Sequence, residues 1–333
     1  MTTLRKIADL EVFPIGLGCM SLSHGYGPSA DPAQAEALLL GALDRGVTLF
    51  DTAALYGFGH NEELLGRVLA PHRSRYVLAS KCGIFREDGK RRIDGRPDTL
   101  RRTCEEALSR LRTDVIDLYY LHRWDKSVPI EDSVGALAEL AQAGKIRHIG
   151  LSEVSAQTLR RAHAVHPVAA VQSEYSLWTR NPEIAVLAAC REIGAAFVPY
   201  SPLARAFLAD GLPDPAVLDE GDLRRRMPRF QPEAYTRNLR LLEPYRRIAA
   251  RVGCSPAQLA LAWLLHQGED IIPIPGTTRL HHLADNLGAA DIVLDEATLA
   301  ELDALINDRT VEGARHGAAN IAEVDTESFQ GAP

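Results

Sequence analysis

The chain has 333 residues, 46% of them hydrophobic, and a net charge of −7. This length suits one large domain with an extensive core, and we expect residues 1–333 to form a single domain. The net negative charge argues against a nucleic-acid partner, since proteins that bind nucleic acids carry clusters of Lys and Arg. No apolar run could span a bilayer and no signal peptide is evident, so we predict a cytoplasmic protein without a membrane partner. Five scattered cysteines without a CxxC pair fit a reducing compartment and predict no metal site.

Short apolar runs alternate along the chain with longer amphipathic stretches, a pattern typical of repeated β-α units. Eight runs are interpreted as buried strands. In chain order they cover 15–18, 47–51, 76–81, 116–122, 146–151, 169–172, 195–199 and 271–273. Eight strands favour closure into an α/β barrel, the (β/α)8 or TIM barrel, over an open sheet.

The boundaries of the intervening helices are marked by Pro and Gly. Pro at the first helical position costs no hydrogen bond, and a preceding Asp, Asn or Ser caps the helix. Glycine just past a helix supplies the left-handed residue that ends it. The predicted starts are Asp31-Pro32, Asn181-Pro182 and Ser255-Pro256, and the predicted stops are Gly46, Gly144 and Gly194.

Two segments lack clean periodicity. The chain from Ser201 to Asp270 is far longer than a usual connection, and 205–232 shows no regular pattern. Long loops in compact domains are often lids or binding loops. We therefore predict a lid or cofactor loop over 205–240 and a C-terminal tail, 308–333, lying over the active site.

Four polar residues mark the candidate site. Asp51, Lys81 and His122 each close an apolar run, and Tyr56 lies five positions past Asp51. Barrel enzymes carry their chemistry at the carboxyl ends of the strands. Taken singly, each residue has a structural reading as a helix cap, a solvated strand end or a packing side chain. Together they predict a catalytic group.

The chemistry of this group is proton donation to oxygen. A tyrosine with a pKa of about 10 is a poor acid at neutral pH. A lysine about 4 Å away stabilises the phenolate by roughly 4 kcal/mol, about three pKa units, and predicts a Tyr56 pKa nearer neutrality. Asp51 would keep Lys81 protonated, and His122 would orient a carbonyl oxygen or share the proton. Such a group suits carbonyl reduction by hydride.

The site motifs resemble those of the aldo-keto reductase family, in order and spacing, over nearly the whole chain. Further segments are similar to its bacterial, yeast and plant branch, which includes pyridoxal reductases, plant alkaloid aldehyde reductases and relatives of the potassium-channel β subunit. The matching segments are 18–20, 51–57, 61–66, 80–81, 121–122, 150–152, Gln172, 200–203 and 274–278.

The resemblance implies a TIM barrel that binds extended NADPH without a Rossmann domain. It makes Tyr56 the general acid, tuned by Lys81 and Asp51, with His122 positioning the carbonyl. Tyr200 would stack on the nicotinamide, and Ser152 and Gln172 would bind its carboxamide. The remaining residues implied for cofactor binding are Gly18, Cys19, Met20, Asp51, Ser201, Pro202, Leu203, Arg205, Gly276, Thr277, Thr278, Arg279, His282, Asp285 and Asn286.

The sequence departs from the family pattern at three positions. Gly276 replaces a frequent lysine, His282 a frequent arginine and Glu153 the usual asparagine. Arg279 remains as the evident cation for a ribose 2′-phosphate. NADPH is favoured, and use of NADH stays open.

An apolar substrate pocket is predicted beside the acid. Its walls would come from Met20, Tyr56, Phe85, His122, Trp124 and Trp178. The apolar residues in this set fit a purely structural role, packing at the barrel rim, equally well. Cys19 and Cys82 border the site and are interpreted as small packing residues.

Three other functions use similar residues at a barrel rim. A Schiff-base aldolase needs a neutral lysine, which Asp51 beside Lys81 opposes. A metal-dependent hydrolase needs several His and carboxylates at strand ends, and the sequence has no His-x-His pair. A regulatory protein that senses NADPH with little turnover stays open. The sequence predicts an NADPH-dependent aldehyde or ketone reductase acting on a small carbonyl substrate, and indicates neither that substrate nor an oligomeric state.

Overall fold

The computed structural model describes residues 3–23, 25–27, 29–87, 90–211 and 214–329. Within these ranges the chain forms short, mostly buried strands. In chain order they are β1 (Arg5–Ile7), β2 (Leu10–Val12), β3 (Leu17–Gly18), β4 (Leu49–Asp51), β5 (Val77–Cys82), β6 (Ile84–Glu87), β7 (Lys90–Ile93), β8 (Ile116–Leu121), β9 (Ile146–Ser152), β10 (Val168–Glu174) and β11 (Ala196–Tyr200).

Seven strands form one parallel sheet in the order β3-β4-β5-β8-β9-β10-β11. Successive helices pack on one another outside it, and α10 returns to α1, which gives the predicted (β/α)8 TIM barrel. The helices are α1 (Pro32–Asp44), α2 (His60–Leu69), α3 (Pro97–Leu111), α4 (Ile130–Gln142), α5 (Ala156–Val165), α6 (Val186–Ile193), α7 (Pro232–Leu239), α8 (Leu242–Val252), α9 (Pro256–Leu265), α10 (Leu280–Gly288), α11 (Glu296–Leu305) and α12 (Ala318–Ile321).

The eighth predicted strand, 271–273, does not form a regular strand, yet it closes the barrel. Pro273 and Pro275 carry no N–H, so a continuous ladder cannot form through them. The segment instead makes isolated backbone hydrogen bonds to both neighbours, β11 and the segment that contains β3. Ile272 N and Ile274 N donate to Phe197 O and Pro199 O at 2.9 and 3.0 Å, and Gly16 N and Gly18 N donate to Pro273 O and Pro275 O at 3.0 and 3.2 Å.

Two hairpins were missing from the sequence prediction. Strands β1 and β2 pair antiparallel, as do β6 and β7, which follow directly after β5. The first hairpin contributes apolar side chains to the inside of the barrel. That inner core consists of Ile7, Leu10, Val12, Leu49, Val77, Ala79, Leu118, Tyr120, Ala169, Ala170, Ala196, Val198, Ile272 and Ile274. The barrel interior is therefore a packed core, and polar chemistry is confined to the rim.

Most predicted helix boundaries are confirmed. Asp31 caps α1 by accepting bonds from two backbone N–H groups, and Ser255 forms a capping box at the start of α9. Gly194 ends α6 with a left-handed φ of 73°. At the predicted start Asn181-Pro182 a short 3₁₀ helix, Asn181–Glu183, begins, and α6 begins only at Val186. The Asn181 side chain does not cap this turn; its amide donates to Glu327 O at 3.0 Å.

The predicted lid segment, 205–240, contains short 3₁₀ turns until α7 begins at Pro232. Leu223 N donates to Gly25 O at 3.1 Å, which ties this segment to the loop after β3. No single described helix is long and apolar enough to cross a membrane. One pair of helical segments, 232–252 and 256–265, is long and apolar enough when taken together, but the two segments are bent by 79° relative to each other.

Gly150 is expected to be intolerant of a side chain. A Cβ at this position would lie 2.3 Å from Cδ1 of Tyr120, which is fully buried inside the barrel. Gly150→Ala should lower the free energy of unfolding by about 1–3 kcal/mol. Denaturant unfolding measures this change.

The matched control is Gly135→Ala in α4, where a Cβ would meet nothing within 4 Å. Alanine is the better helix former there, so stability should rise by roughly 0.5–1 kcal/mol. A Gly150→Ala protein as stable as this control would contradict the close approach of Tyr120.

Candidate active site

Asp51, Lys81 and His122 lie at the carboxyl ends of three neighbouring strands. Asp51 ends β4, Lys81 is the penultimate residue of β5, and His122 follows β8. These strands are adjacent in the sheet and parallel, so their carboxyl ends share one rim. All three side chains are buried there.

Tyr56 reaches the same point from the loop after β4. It begins a 3₁₀ turn, Tyr56–Gly59, in which Gly57 adopts a left-handed φ of 58° without strain. Buried hydrogen bonds fix the preceding loop: Thr52 Oγ1 donates to Asn61 Oδ1 at 2.6 Å, and Asn61 Nδ2 donates to Cys19 O at 2.9 Å. The Tyr56 side chain is consequently held against Lys81.

Lys81 is the centre of the group. Its Nζ donates to Asp51 Oδ1 at 2.5 Å, to Thr52 O at 2.8 Å and to Tyr56 Oη at 3.3 Å. The ammonium group has no exposed surface. Its three protons thus have three acceptors, as a buried charge requires.

The pKa values of Lys81 and Tyr56 set the protonation of the site. Burial alone would lower the pKa of Lys81, but Asp51 and Tyr56 outweigh it and raise that pKa above its usual value. The ion pair with Asp51 thus favours the charged form of Lys81.

The predicted shift of Tyr56 toward neutrality is wrong for the protein alone. Burial raises the pKa of Tyr56 above its usual 10.0, because a phenolate loses its water there. Lys81 lowers that pKa and Asp51 raises it, so the ion pair offers less net charge than a lone lysine. Tyr56 is a fully protonated phenol.

His122 stands edge-on to Tyr56, with ring centroids 6.0 Å apart and planes at 88°. Burial lowers the pKa of His122 well below 6.5, and Arg123, Lys81 and Arg91 lower it further. The imidazole is therefore neutral. Its Nδ1 is buried without a hydrogen-bond partner among the described residues.

The residues predicted to hold the nicotinamide lie on the next three strand ends. Gln172 Nε2 donates to Asp51 Oδ2 at 2.8 Å, which fixes the second carboxylate oxygen. Ser152 Oγ accepts from Arg123 at 3.1 Å, and Tyr200 Oη accepts from Arg315 at 3.1 Å. All three are thus oriented by neighbouring side chains.

Most of the residues predicted to bind the rest of the cofactor lie in two segments of the chain. Gly18 lies against the barrel-closing segment, where a Cβ would meet Ile274 O at 2.7 Å. Cys19 and Met20 come next in the chain, and burial raises the pKa of the Cys19 thiol. Gly276 and Thr277 to Arg279 precede α10; His282, Asp285 and Asn286 lie on it.

Some of these side chains already have partners. Arg205 forms a bidentate ion pair with Glu174, in which Nη1 and Nη2 donate hydrogen bonds to Oε1 and Oε2 at 2.5 and 2.7 Å. Asp285 Oδ2 accepts from Ser255 at 2.8 Å. Ser201 to Leu203 form the turn leading into a left-handed Ala204 and Arg205.

The predicted substrate-pocket residues separate into two groups. Met20, Phe85 and Trp124 are partly exposed at the rim. Trp178 is only 3% exposed and stacks on Phe230 with ring centroids 6.2 Å apart, so it belongs to the packed base of the lid segment.

Two buried charged residues, Glu174 and Arg315, were missed by the sequence analysis. Arg315, in the C-terminal tail, donates to Glu153 and Glu174 as well as to Tyr200. Glu153 and Glu174 have side chains 0% and 1% exposed. Glu174 ends β10, a position that is a usable signal, whereas nothing local marks Arg315.

Metal and thiol chemistry have little support at this rim. No group of three or more His, Cys, Asp or Glu among the described residues is arranged to hold a metal ion. Burial raises the pKa of Cys82, as it does that of Cys19, and disfavours the reactive thiolate.

Comparison with known proteins gives a family. Residues 14–307 match the model of the Aldo/keto reductase family. Aldo-keto reductase yakc (NADP(+)) of Schizosaccharomyces pombe is 45% identical over 331 residues, with 97% of each chain covered. The chain belongs to the Aldo/keto reductase family.

Solved structures agree with this assignment. The glycerol dehydrogenase AKR11B4 from Gluconobacter oxydans is 28% identical with a TM-score of 0.85, and the match covers 93% of this chain and 96% of that one. An aldo/keto reductase from Klebsiella pneumoniae, in complex with NADP and acetate, is 28% identical with a TM-score of 0.73, covering 95% and 99%.

Asp51→Asn should destabilise the protein strongly. It leaves the Lys81 ammonium buried without a counter-charge, which costs about 3–5 kcal/mol of unfolding free energy. Denaturant unfolding of Asp51→Asn measures the loss. The double variant Asp51→Asn/Lys81→Met removes both charges and should recover much of the lost unfolding free energy. A loss in the double variant equal to the sum of the losses in the two single variants would contradict the pairing.

Proposed function

We propose that this protein is an NADPH-dependent reductase of aldehydes and ketones, in which Tyr56 protonates the carbonyl oxygen. The observation that carries the proposal is the position of the Lys81 ammonium, bonded at once to Asp51 and to Tyr56 Oη. No strong nucleophile lies in this group. Its chemistry is therefore the delivery of a proton to an oxygen atom.

Tyr56 acts as the general acid. Its raised pKa keeps the proton on the phenol until the carbonyl oxygen gains negative charge. Lys81, 3.3 Å away, then attracts the phenolate that forms, by roughly 5 kcal/mol at an effective dielectric near 20 before the opposing effect of Asp51 is included. Asp51 and Gln172 hold the lysine at this distance.

His122 orients the carbonyl group. Because it is neutral and buried, its ring can donate one hydrogen bond to the oxygen without competing as an acid. The edge-on contact with Tyr56 places both groups on the same side of the site. The carbonyl oxygen would thus lie between two donors.

NADPH would supply the hydride to the carbonyl carbon. Tyr200 would support the nicotinamide, Ser152 and Gln172 its carboxamide, and Ser201, Leu203 and Thr277 the pyrophosphate. The segment before α10 suits a phosphate: Arg279 is exposed, stands at a helix N-terminus and has no carboxylate within 4.0 Å among the described residues. NADP in the name of the yeast relative and in the Klebsiella complex supports this cofactor.

Tyr56→Phe should abolish NADPH oxidation with a panel of aldehydes and pyridoxal, while NADPH binding stays near normal, since only the hydroxyl is lost. Nicotinamide absorbance follows the reaction. Equal turnover in wild type and variant would remove Tyr56 as the acid. Wild-type binding without turnover would instead favour the regulatory alternative.

The pH dependence should follow the raised pKa of Tyr56. Because this pKa is raised above 10.0, Tyr56 stays protonated across the neutral and mildly alkaline range, and loss of its proton should not lower kcat/KM for carbonyl reduction there. A kcat/KM profile in the wild type measures this. A fall in the wild-type profile centred near neutrality would contradict the assigned protonation state.

Arg279→Ala should weaken NADPH much more than NADH, because only NADPH carries the 2′-phosphate that this cation would bind. Dissociation constants for both cofactors, by fluorescence titration, give the comparison. Arg247→Ala, an exposed arginine on α8 paired with Glu243, is the control for loss of one positive charge. Equal losses for both cofactors would place the 2′-phosphate elsewhere.

A further inference from the structure

The C-terminal strap, defined as residues 314–327, crosses the carboxyl rim of the barrel. Asp325 accepts bonds from the backbone N–H and the hydroxyl of Ser155, at 3.1 and 2.9 Å. Glu327 accepts from Ala156 N at 2.7 Å, and Lys126 donates to two strap carbonyl groups at 2.9 Å each. These contacts hold the strap to the start of α5 and to the loop after β8.

Arg315 makes a second kind of contact, with the rim itself. Its guanidinium donates to Glu153, to Glu174 at 2.9 Å and to Tyr200 Oη at 3.1 Å. Glu153 follows β9, Glu174 ends β10, and Tyr200 ends β11. One side chain from the strap therefore bridges the ends of three consecutive strands.

The bridge is buried and closely paired. The side chain of Arg315 is 9% exposed, and those of its two carboxylate partners are almost fully enclosed. Burial lowers the pKa of Arg315, but Glu153, Tyr200 and Glu174 outweigh it and raise that pKa. A guanidinium with this many fixed acceptors has little freedom to tilt.

The contact with Tyr200 is not needed to hold the strap. Asp325, Glu327 and Lys126 anchor it independently, and Glu174 already has two bonds from Arg205. Yet one Arg315 N–H is directed at a neutral phenol. That phenol belongs to a partly exposed ring at the rim, the ring assigned above to support the nicotinamide.

We propose that Arg315 is a positioning residue: it fixes the position of the Tyr200 ring and thereby the nicotinamide that the ring supports. This inference rests on the proposed function. A hydrogen bond at the far end of the phenol restrains rotation about χ1, which would swing the whole ring, so the supporting surface stays in one place. Hydride transfer is sensitive to displacements of about 1 Å, which can cost roughly a hundredfold in rate.

The cleanest test is Tyr200→Phe, because it removes only the hydroxyl that Arg315 contacts and keeps the ring and the ion pairs. We expect kcat to fall about tenfold, with the KM for NADPH changing much less. The deuterium isotope effect on kcat, with NADPH deuterated at the transferred position, should rise because a misaligned hydride step becomes slower.

Arg315→Met and the double variant Arg315→Met/Tyr200→Phe complete a double-mutant cycle. If the arginine acts through the hydroxyl, Arg315→Met should lower kcat at least as far, and adding Tyr200→Phe should cost little more. Asp325→Asn is the matched control: it weakens the strap without touching Tyr200. It should leave the isotope effect unchanged.

The outcomes separate the proposals. An unchanged isotope effect in Tyr200→Phe, or equal changes in Asp325→Asn, would overturn the role of Arg315. If the wild type reduces no aldehyde, the proposed function fails on its own, and fluorescence anisotropy of bound NADPH then decides. Lower anisotropy in Tyr200→Phe than in wild type and Asp325→Asn supports the positioning role; equal anisotropy, or no NADPH binding, overturns it.

Discussion

The structure of the site depends on one constraint, a lysine ammonium enclosed at the top of an apolar barrel. A buried charge is tolerated only when it is paired and fully hydrogen-bonded. Asp51 supplies the counter-charge, Thr52 O and Tyr56 Oη the remaining acceptors, and Gln172 orients the carboxylate. Asp51 and Thr52 lie at the end of β4, Tyr56 on the loop that follows and Gln172 on β10, so satisfying this one cation brings residues from two strands and a loop together.

The sequence predicted those parts of the fold that have local causes. Apolar runs, an Asp-Pro start and glycine stops mark strands and helices because each acts within a few residues. The eighth strand was misjudged, since Ile271 to Pro273 has the right composition but Pro273 and Pro275 lack the N–H groups of a ladder. The hairpin β6-β7 was missed although Asp88-Gly89 between its strands is a typical hairpin sequence.

The site was predictable in position and less so in its electrostatics. Strand ends meet at one rim in any parallel barrel, so Asp51, Lys81 and His122 could be placed together from sequence alone. The pKa of Tyr56 could not, because the sequence gives no measure of how much water the phenol loses. Arg315 was equally out of reach: its acceptors lie more than a hundred residues away, and only the folded chain brings them to it.

The strap has a consequence for the order in which the protein is made. Residues 314–327 leave the ribosome after every strand of the barrel, and the barrel itself is closed only by 271–275. A nascent chain therefore carries Asp51, Lys81 and His122 long before the rim around Tyr200 can be completed. The contacts of Arg315 with Glu153, Glu174 and Tyr200 therefore form only after the barrel strands that carry these three residues have been synthesised.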